Sequence, residues 1–187
     1  MNKLIIITCL IILIYYCMKR NENIYSTAYR IGVGYLDNIP NYPNYAVMFD
    51  IDDTLIFSKN HKPIPQIIKL MKYCNDHNIL TLIITARDSI YKKDTIQELM
   101  SNNIYAKYDS FYESPKNAVF YDFLYLRKNP EDNDNLFKSR IKEQLALKHD
   151  IITIMSVGDN QVDVNGNFSG YYIKLPNVHD SRLFYGK

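Results

Sequence analysis

Three short apolar segments constrain the fold of this chain more than any other feature of its sequence. They are Ala46–Ile51, Ile79–Thr85 and Ile151–Val157. Each segment is short for a helix and apolar on both of its faces, so each predicts a buried strand of a parallel sheet. Stretches with apolar residues at helical spacing separate them. This alternation predicts an α/β fold, a Rossmann-like three-layer sandwich with a central parallel sheet.

Helices are predicted between these strands, and further strands follow them. Pro65 suits the first turn of a helix over Ile64–His77, and Ser89 suits the cap of a second helix that runs to Asn102. The other predicted elements are a strand over Ala118–Arg127, a helix over Leu136–Lys148 and a strand over Tyr171–Leu175. Ligands of such sheets bind beyond the carboxyl ends of the strands. Residues that follow the strands are therefore the first candidates for a site.

The chain divides into three parts. Residues 1–20 contain the uncharged segment Leu4–Met18, residues 21–44 are polar and contain glycines and prolines, and residues 45–187 carry the predicted elements. As a helix, the uncharged segment would rise about 22 Å, short of the ~30 Å hydrocarbon core of a bilayer, although flanking residues could extend it. We interpret residues 1–20 as an anchor or signal segment, residues 21–44 as a linker, and residues 45–187 as one domain.

A membrane-anchored or exported location follows from this interpretation, with the membrane as a partner of the N-terminal segment. A buried first helix or strand is the third interpretation of the same residues. Basic residues flank the uncharged segment on both sides, so the sequence does not predict the orientation in a membrane.

Charge and cysteine usage exclude some classes of protein. The net charge is only +2 and no clustered basic stripe is visible, which argues against a nucleic-acid partner. Of the three cysteines, only Cys74 lies in the predicted domain, so that domain has no internal disulfide framework.

Residues suited to phosphate chemistry follow three predicted strands and begin one predicted helix. In chain order they are Asp50, Asp52, Thr85, Ala86, Arg87, Lys138, Asp159 and Asp163. The predicted fold brings them to one crevice. Carboxylates in one crevice repel one another unless a cation lies among them, and oxygen ligands suit Mg²⁺. A carboxylate nucleophile, a metal ion and a lysine are the groups that phosphoryl transfer would use.

The order of these motifs resembles the haloacid dehalogenase (HAD) superfamily of aspartyl-phosphate phosphatases. The sequence reads DIDDTL after the first strand, an apolar strand that ends in TAR, then a lysine, then GDNQVD. The likeness covers about Tyr45–Pro176. It is greatest to the acid-phosphatase group (subfamily IIIB, of the class B and plant vegetative-storage types), through TAR, LYLR, FKSRIKEQL, VGDNQVDVNG and IKLPN. The resemblance implies hydrolysis of small phosphorylated substrates with Mg²⁺ as cofactor.

The resemblance also implies roles for the acidic residues. Asp50 corresponds to the nucleophile and a metal ligand. Asp52 corresponds to the general acid and base, with its backbone carbonyl as a metal ligand. Asp159 corresponds to the third metal ligand, and Asp163 to a residue that acts through water or by orienting the lysine.

The remaining candidates correspond to groups that hold the phosphoryl oxygens, namely Thr85, Ala86, Arg87 and Lys138. Two of these assignments stay open at the level of sequence. Arg87 either contacts the substrate phosphate or pairs with a nearby acid, and Lys142 competes with Lys138 because it lies one helical turn further on.

Two neighbours of the motifs also stay open. Asp53 either caps the turn after the first strand or joins the chemistry, and Asn160 is either a helix cap or a ligand.

The sequence leaves no room for a large cap domain. Between Asp50 and Thr85 there is space only for a flap over residues 57–63 and one helix, and the insertion over residues 104–135 is short for a domain. An open site that accepts varied phosphomonoesters is expected. Two alternative functions are a non-catalytic storage or interaction protein on the same fold, and a nucleotide or nucleic-acid-end phosphatase. Because storage relatives lose the nucleophile, the presence of both Asp50 and Asp52 counts against the first.

Overall fold

The structure, a computed structural model, describes residues 7–9, 24–40, 42–108, 115, 117–128 and 134–187. The strands are β1 Tyr45–Phe49, β2 Leu80–Asp88, β3 Ile104–Ala106, β4 Val119–Tyr121, β5 Phe123–Arg127, β6 Ile152–Gly158, β7 Tyr171–Lys174 and β8 Phe184–Gly186. Residues 24–36 form helix α1. The later helices are α2 Pro65–Asp76, α3 Lys92–Ser101, α4 Asp134–His149 and α5 Gln161–Val164, with a 3₁₀ turn at Ser89–Tyr91 before α3.

Six strands form the central sheet in the order β5-β2-β1-β6-β7-β8. All neighbouring pairs in it are parallel except β7 and β8. The predicted strand over Ala118–Arg127 is divided between two sheets, because β4 pairs with β3 and β5 pairs with β2. The predicted α/β fold with a central, mostly parallel sheet is confirmed.

Apolar side chains cover the sheet on both faces. Val47 and Phe49 of β1 lie in one core cluster together with α2, whereas Ala46 and Met48 lie in a second cluster together with α4. Alternate residues of a strand point to opposite faces, so a strand buried on both sides is apolar throughout. This explains why the β1 segment lacks the alternating pattern of a half-exposed strand, and it establishes the three layers.

The linker predicted over residues 21–44 is wrong for residues 24–36, which are helical and belong to the core. Apolar residues recur there at helical spacing, and the helix contains two glycines, Gly32 and Gly34. The position of Gly32 explains one of them, since a Cβ there would lie 2.9 Å from a Leu70 methyl carbon on α2. The glycine therefore permits close packing of two helices. The buried residues of α1 include Tyr25, Ala28 and Leu36.

The predicted anchor or signal over residues 1–20 lies outside the described residues, except for the helical residues 7–9. Among the described residues, no helix is both long enough and apolar enough to cross a membrane. In the insertion over residues 104–135, the described part contributes Ile104, Val119 and Tyr121 to the main core. Within the described chain there is accordingly no cap with a core of its own.

Candidate active site

The candidate site lies at the carboxyl edge of the three central strands. Asp50 directly follows β1, Thr85 lies near the end of β2, and Asp159 directly follows β6. The backbone N–H of Asp50 donates to the carbonyl oxygen of Val157 at 3.1 Å, which ties the end of β1 to β6. Because these strands are neighbours and parallel, their ends bring the predicted residues together.

Three buried carboxylates form a cluster at this edge. Oxygen atoms of Asp50, Asp159 and Asp163 all lie within 4.8 Å of one another. Burial and the neighbouring carboxylates of Asp163 and Asp50 raise the pKa of Asp159 to about 7. The pKa of Asp50 is also raised, by burial above all, although Lys138 opposes that rise. Negative groups placed this close together fit a divalent cation, which would favour their ionised forms.

Lys138 bridges two members of the cluster. Its Nζ lies 2.5 Å from Oδ1 of Asp50 and 2.5 Å from Oδ1 of Asp163, and the lysine side chain is 3% exposed. Burial alone would lower the pKa of Lys138, but the two carboxylates outweigh that effect and raise it. A lysine that stays charged beside a buried carboxylate is suited to hold phosphoryl oxygens.

Lys142 is buried one turn further along α4 but contacts no carboxylate oxygen among the described residues. Its Nζ donates to the carbonyl oxygens of Asp163 at 2.9 Å and Asn165 at 3.2 Å, and to Ser169 Oγ at 2.5 Å. Burial lowers the pKa of Lys142 to about 8. The structure therefore assigns the two lysines different places, with Lys138 in the cluster and Lys142 beneath the loop that follows Asp163.

Both oxygens of Asp163 are already engaged. Oδ1 accepts from Lys138, and Oδ2 accepts from the backbone N–H of Asn160 at 2.9 Å. Gly158 permits this arrangement, because a Cβ there would lie 2.2 Å from Asp163 Cβ. Asp163 thus joins Lys138 to the start of α5.

Two amides hold Asp159. Asn160 Nδ2 donates to Oδ1 of Asp159 at 2.9 Å, and Asn177 Nδ2 donates to its backbone carbonyl at 2.8 Å. Asn160 thus lies at the start of α5 and contacts a site carboxylate as well. Asn177 belongs to the IKLPN motif, which was the only sequence signal for it.

Asp52 is not a member of the carboxylate cluster and pairs with Arg87. Arg87 donates from Nε to Oδ2 of Asp52 at 2.9 Å, and from Nη2 to Oδ1 at 2.6 Å. Its Nη1 donates to Oε2 of Glu98 on α3 at 2.5 Å. Hydrogen bonds to Asp52 and Glu98 raise the pKa of Arg87 further above its usual range. Of the two interpretations left open for Arg87, this structure shows the pairing with acids.

Glu98 was not predicted from the sequence. It lies in the middle of an amphipathic helix, eleven residues after Arg87, and no motif includes it. Only the fold brings α3 alongside the end of β2, so its contact with Arg87 has no local signal.

Thr85 and Ala86 lie beside these pairs. Thr85 is buried, and its Oγ1 accepts from the backbone N–H of Arg87 at 3.3 Å. A cavity of about 540 Å³ opens next to Arg87. It is lined by Ala86, Arg87, Asp88, Tyr91, Asp94, Thr95, Glu98 and Arg127.

Asp53 shapes the start of the flap. Its φ of 53° is in the left-handed region, and its carboxylate accepts from the N–H of Ser58 at 3.0 Å and from Ser58 Oγ at 2.7 Å. These contacts agree with the interpretation of Asp53 as a turn residue. Tyr25 at the start of α1 packs on the flap, with its ring centroid 5.8 Å from that of Phe57. Burial, Asp53 and Asp159 raise the pKa of Tyr25 to about 12.

A mostly parallel sheet of this order, with buried carboxylates and a lysine at its carboxyl edge, is typical of HAD-type α/β proteins. Residues 56–181 match the sequence model of the family described as HAD superfamily, subfamily IIIB (acid phosphatase). The chain belongs to this family. The matched residues include Thr85, Lys138 and Asp159, and they begin after Asp50 and Asp52. No curated protein matches the chain.

Among solved structures, the class C acid phosphatase from Bacillus anthracis is similar to this chain. The two share a TM-score of 0.58 and 17% sequence identity over 79% of this chain. At that identity the likeness shows the fold alone. This chain covers 66% of the length of the Bacillus anthracis protein, slightly under two thirds.

Proposed function

We propose that the chain is a divalent-cation-dependent phosphatase that hydrolyses phosphomonoesters through a phosphorylated Asp50. Membership of the acid-phosphatase family supports the reaction class. One observation carries the assignment of residues, namely that Lys138 Nζ lies 2.5 Å from Asp50 while Asp159 belongs to the same carboxylate cluster. A carboxylate beside a buried cation can meet a phosphate without the full repulsion between two anions.

The residues present fit Mg²⁺. Asp50 and Asp159 would supply carboxylate oxygens and Asp52 its backbone carbonyl, a set of hard oxygen ligands. When bound, the ion would supply positive charge to the phosphoryl oxygens and to the carboxylates whose pKa is raised.

In the first step, a carboxylate oxygen of Asp50 attacks phosphorus and forms the aspartyl phosphate. The bond between phosphorus and the leaving oxygen breaks, and that oxygen takes the proton of Asp52. Lys138, the Thr85 hydroxyl and the backbone N–H of Ala86 hold the phosphoryl oxygens that do not react.

In the second step, water attacks phosphorus and loses a proton to the carboxylate of Asp52. The bond between phosphorus and Asp50 breaks, and inorganic phosphate leaves. Asp52 is again protonated and Asp50 again a free carboxylate, so the cycle closes.

The decisive experiment measures hydrolysis of p-nitrophenyl phosphate by the full chain with Mg²⁺ and with a chelator. Asp50→Asn is expected to abolish turnover without loss of the fold, because the amide is a poor nucleophile. Asp150→Asn is the matched control, since Asp150 is exposed and has a left-handed φ that asparagine tolerates. Near-normal turnover by Asp50→Asn would refute the nucleophile assignment.

The physiological substrate is a separate question. Nucleotides, sugar phosphates and phosphorylated DNA ends, assayed side by side, separate a general phosphatase from a nucleotide or nucleic-acid-end phosphatase. Absence of turnover on every ester by the unaltered chain would favour the storage or interaction protein.

A further inference from the structure

Four separate segments meet in a series of polar contacts beside the carboxylate cluster. Asp52 follows β1, Arg87 lies near the end of β2, Glu98 lies on α3, and His61 lies on the flap. His61 Nδ1 lies 2.6 Å from Oε1 of Glu98, whose other oxygen accepts from Arg87. We call these four residues the Arg87 network.

The geometry points to Glu98 as a positioning residue of the reaction. Glu98 holds Arg87 in place while the carboxylate of Asp52 breaks its hydrogen bonds to Arg87 and later forms them again. This inference rests on the proposed function, because it assigns Asp52 the proton transfers. Glu98 itself touches no reacting atom and acts through Arg87.

The contacts of Arg87 explain why a second anchor is needed. In this structure both oxygens of Asp52 accept from its guanidinium. Asp52 therefore has to leave Arg87 before it can give a proton to a leaving group. Without Glu98, Arg87 could follow Asp52 or turn into the open cavity beside it. With Glu98, the third contact of the guanidinium remains when the first two are broken.

Glu98 is itself held firmly. Its neighbours on α3, Thr95 and Leu99, are buried and fix the helix against the domain. Burial would raise the pKa of Glu98, but the hydrogen bonds to His61 and Arg87 outweigh that effect and lower it. Its side chain is 19% exposed, as is that of Arg87, so solvent screens this contact less than a surface pair. Glu98 is thus a fixed anion that faces Arg87.

His61 adds a contact from the flap. Its side chain is 72% exposed, so its pairing with Glu98 is expected to contribute little energy. It contacts the second oxygen of Glu98 and joins the flap to α3. We expect His61 to matter less than Glu98.

The test compares two substrates, each in the unaltered chain and in a chain that lacks Arg87. Asp52 matters most for a leaving group that cannot depart without a proton. Glu98→Ala should therefore lower kcat for an alkyl phosphate by roughly tenfold, and kcat for p-nitrophenyl phosphate by less than about threefold. Glu98→Gln keeps the shape and one acceptor oxygen, and an intermediate loss is expected from it. Glu143→Ala, on the exposed face of α4, is the matched control and should leave both rates unchanged.

A double-mutant cycle separates positioning from a merely structural role. In a chain that already carries Arg87→Ala, the added Glu98→Ala change should alter kcat by no more than about twofold, because its only route of action is gone. Thermal unfolding of each variant verifies the fold, and Glu98→Gln serves if Glu98→Ala does not fold.

The outcomes divide clearly. Equal losses on both substrates, or losses that multiply in the double variant, would overturn the role of Glu98 and leave the proposed function intact. An unaltered chain without any phosphatase activity would overturn the proposed function, and the inference with it.

Discussion

Lys138 and Lys142 lie one turn apart on α4, both are buried, and their surroundings shift their pKa values in opposite directions. Lys138 faces two carboxylates, whereas the Nζ of Lys142 contacts carbonyl and hydroxyl oxygens. Burial disfavours the charged form of both, and only a nearby negative charge reverses this. In the sequence both lysines occupy the same face of one helix, and only the position of Lys138 at the helix start favours it.

The lowered pKa of Lys142 predicts how stability depends on pH. The folded chain releases this proton near pH 8, whereas the unfolded chain keeps it up to about pH 10.5. Between these values the unfolded state binds more protons, so the free energy of unfolding should rise with pH. This contribution is on the order of 2 kcal/mol between pH 8 and 10.

Urea unfolding of the unaltered chain and of Lys142→Met, from pH 7 to 10, measures this contribution as a difference. Lys138 does not interfere with this measurement. Because its pKa is raised in the folded chain, its contribution to the free energy of unfolding is constant at pH values below the unfolded pKa of 10.5. If the free energy of unfolding changed with pH by the same amount in both chains, Lys142 would have an ordinary pKa.

The carboxylates predict a second dependence on pH, that of metal binding. Because the pKa of Asp159 is about 7 and that of Asp50 is raised, a metal ion must displace protons from the apo site at low pH. Mg²⁺ affinity should increase between pH 6 and 8, by up to about tenfold per pH unit for each proton released.

Calorimetry in buffers of different ionisation enthalpy counts these protons directly, without any activity assay. Asp159→Asn should remove most of the binding, and Asp150→Asn should not. Mg²⁺ binding that releases no proton at pH 6 would contradict the raised pKa values.

At the scale of elements, α1 is the main departure from what the sequence predicted. Its buried residues sit at helical spacing on one face and pack on the same core cluster as α2. We predict that Leu36→Ala lowers the free energy of unfolding by about 2–4 kcal/mol, the usual cost of a buried Leu truncation. Arg30→Ala, at an exposed position of the same helix, is the control. Urea denaturation measures both, and equal effects would mean that α1 does not pack as described.

Elements with an uninterrupted apolar sequence were predictable, and short or divided ones were not. The segments Ala46–Ile51 and Ile79–Thr85 correspond to β1 and β2 within a few residues. By contrast, Ala118–Arg127 reads as one strand, but Asp122 separates β4 from β5. Its Oδ2 accepts from the backbone N–H of Thr81 at 2.8 Å, a long-range contact that no local pattern reveals.

The same distinction holds for the site. Asp50 and Asp159 follow strand ends and Thr85 lies near one, where ligands of parallel sheets bind. The contact of Glu98 with Arg87 depends on how α3 packs against the sheet, which the local sequence does not predict.

At the scale of the whole molecule, the described residues place little over the site. The described part of the insertion over residues 104–135 belongs to the main core and does not cover the site. Among the described residues, the flap over residues 57–63 provides the cover. We predict that small and bulky phosphomonoesters are hydrolysed with kcat/KM values within roughly tenfold of each other, since few pocket contacts discriminate between them. A panel of esters of graded size measures this, and a preference above about 10³-fold for one ester would contradict an open site.

The course of α1 has a practical consequence for anyone who handles this protein. Tyr25, at its start, lies near Asp53 and Asp159, and Tyr35, near its end, stacks on Tyr171 at the beginning of β7. The helix therefore spans the sheet from one rim to the other. A purification tag joined just before it would lie at the rim that holds the carboxylate cluster, while one joined after β8 would leave from the far rim.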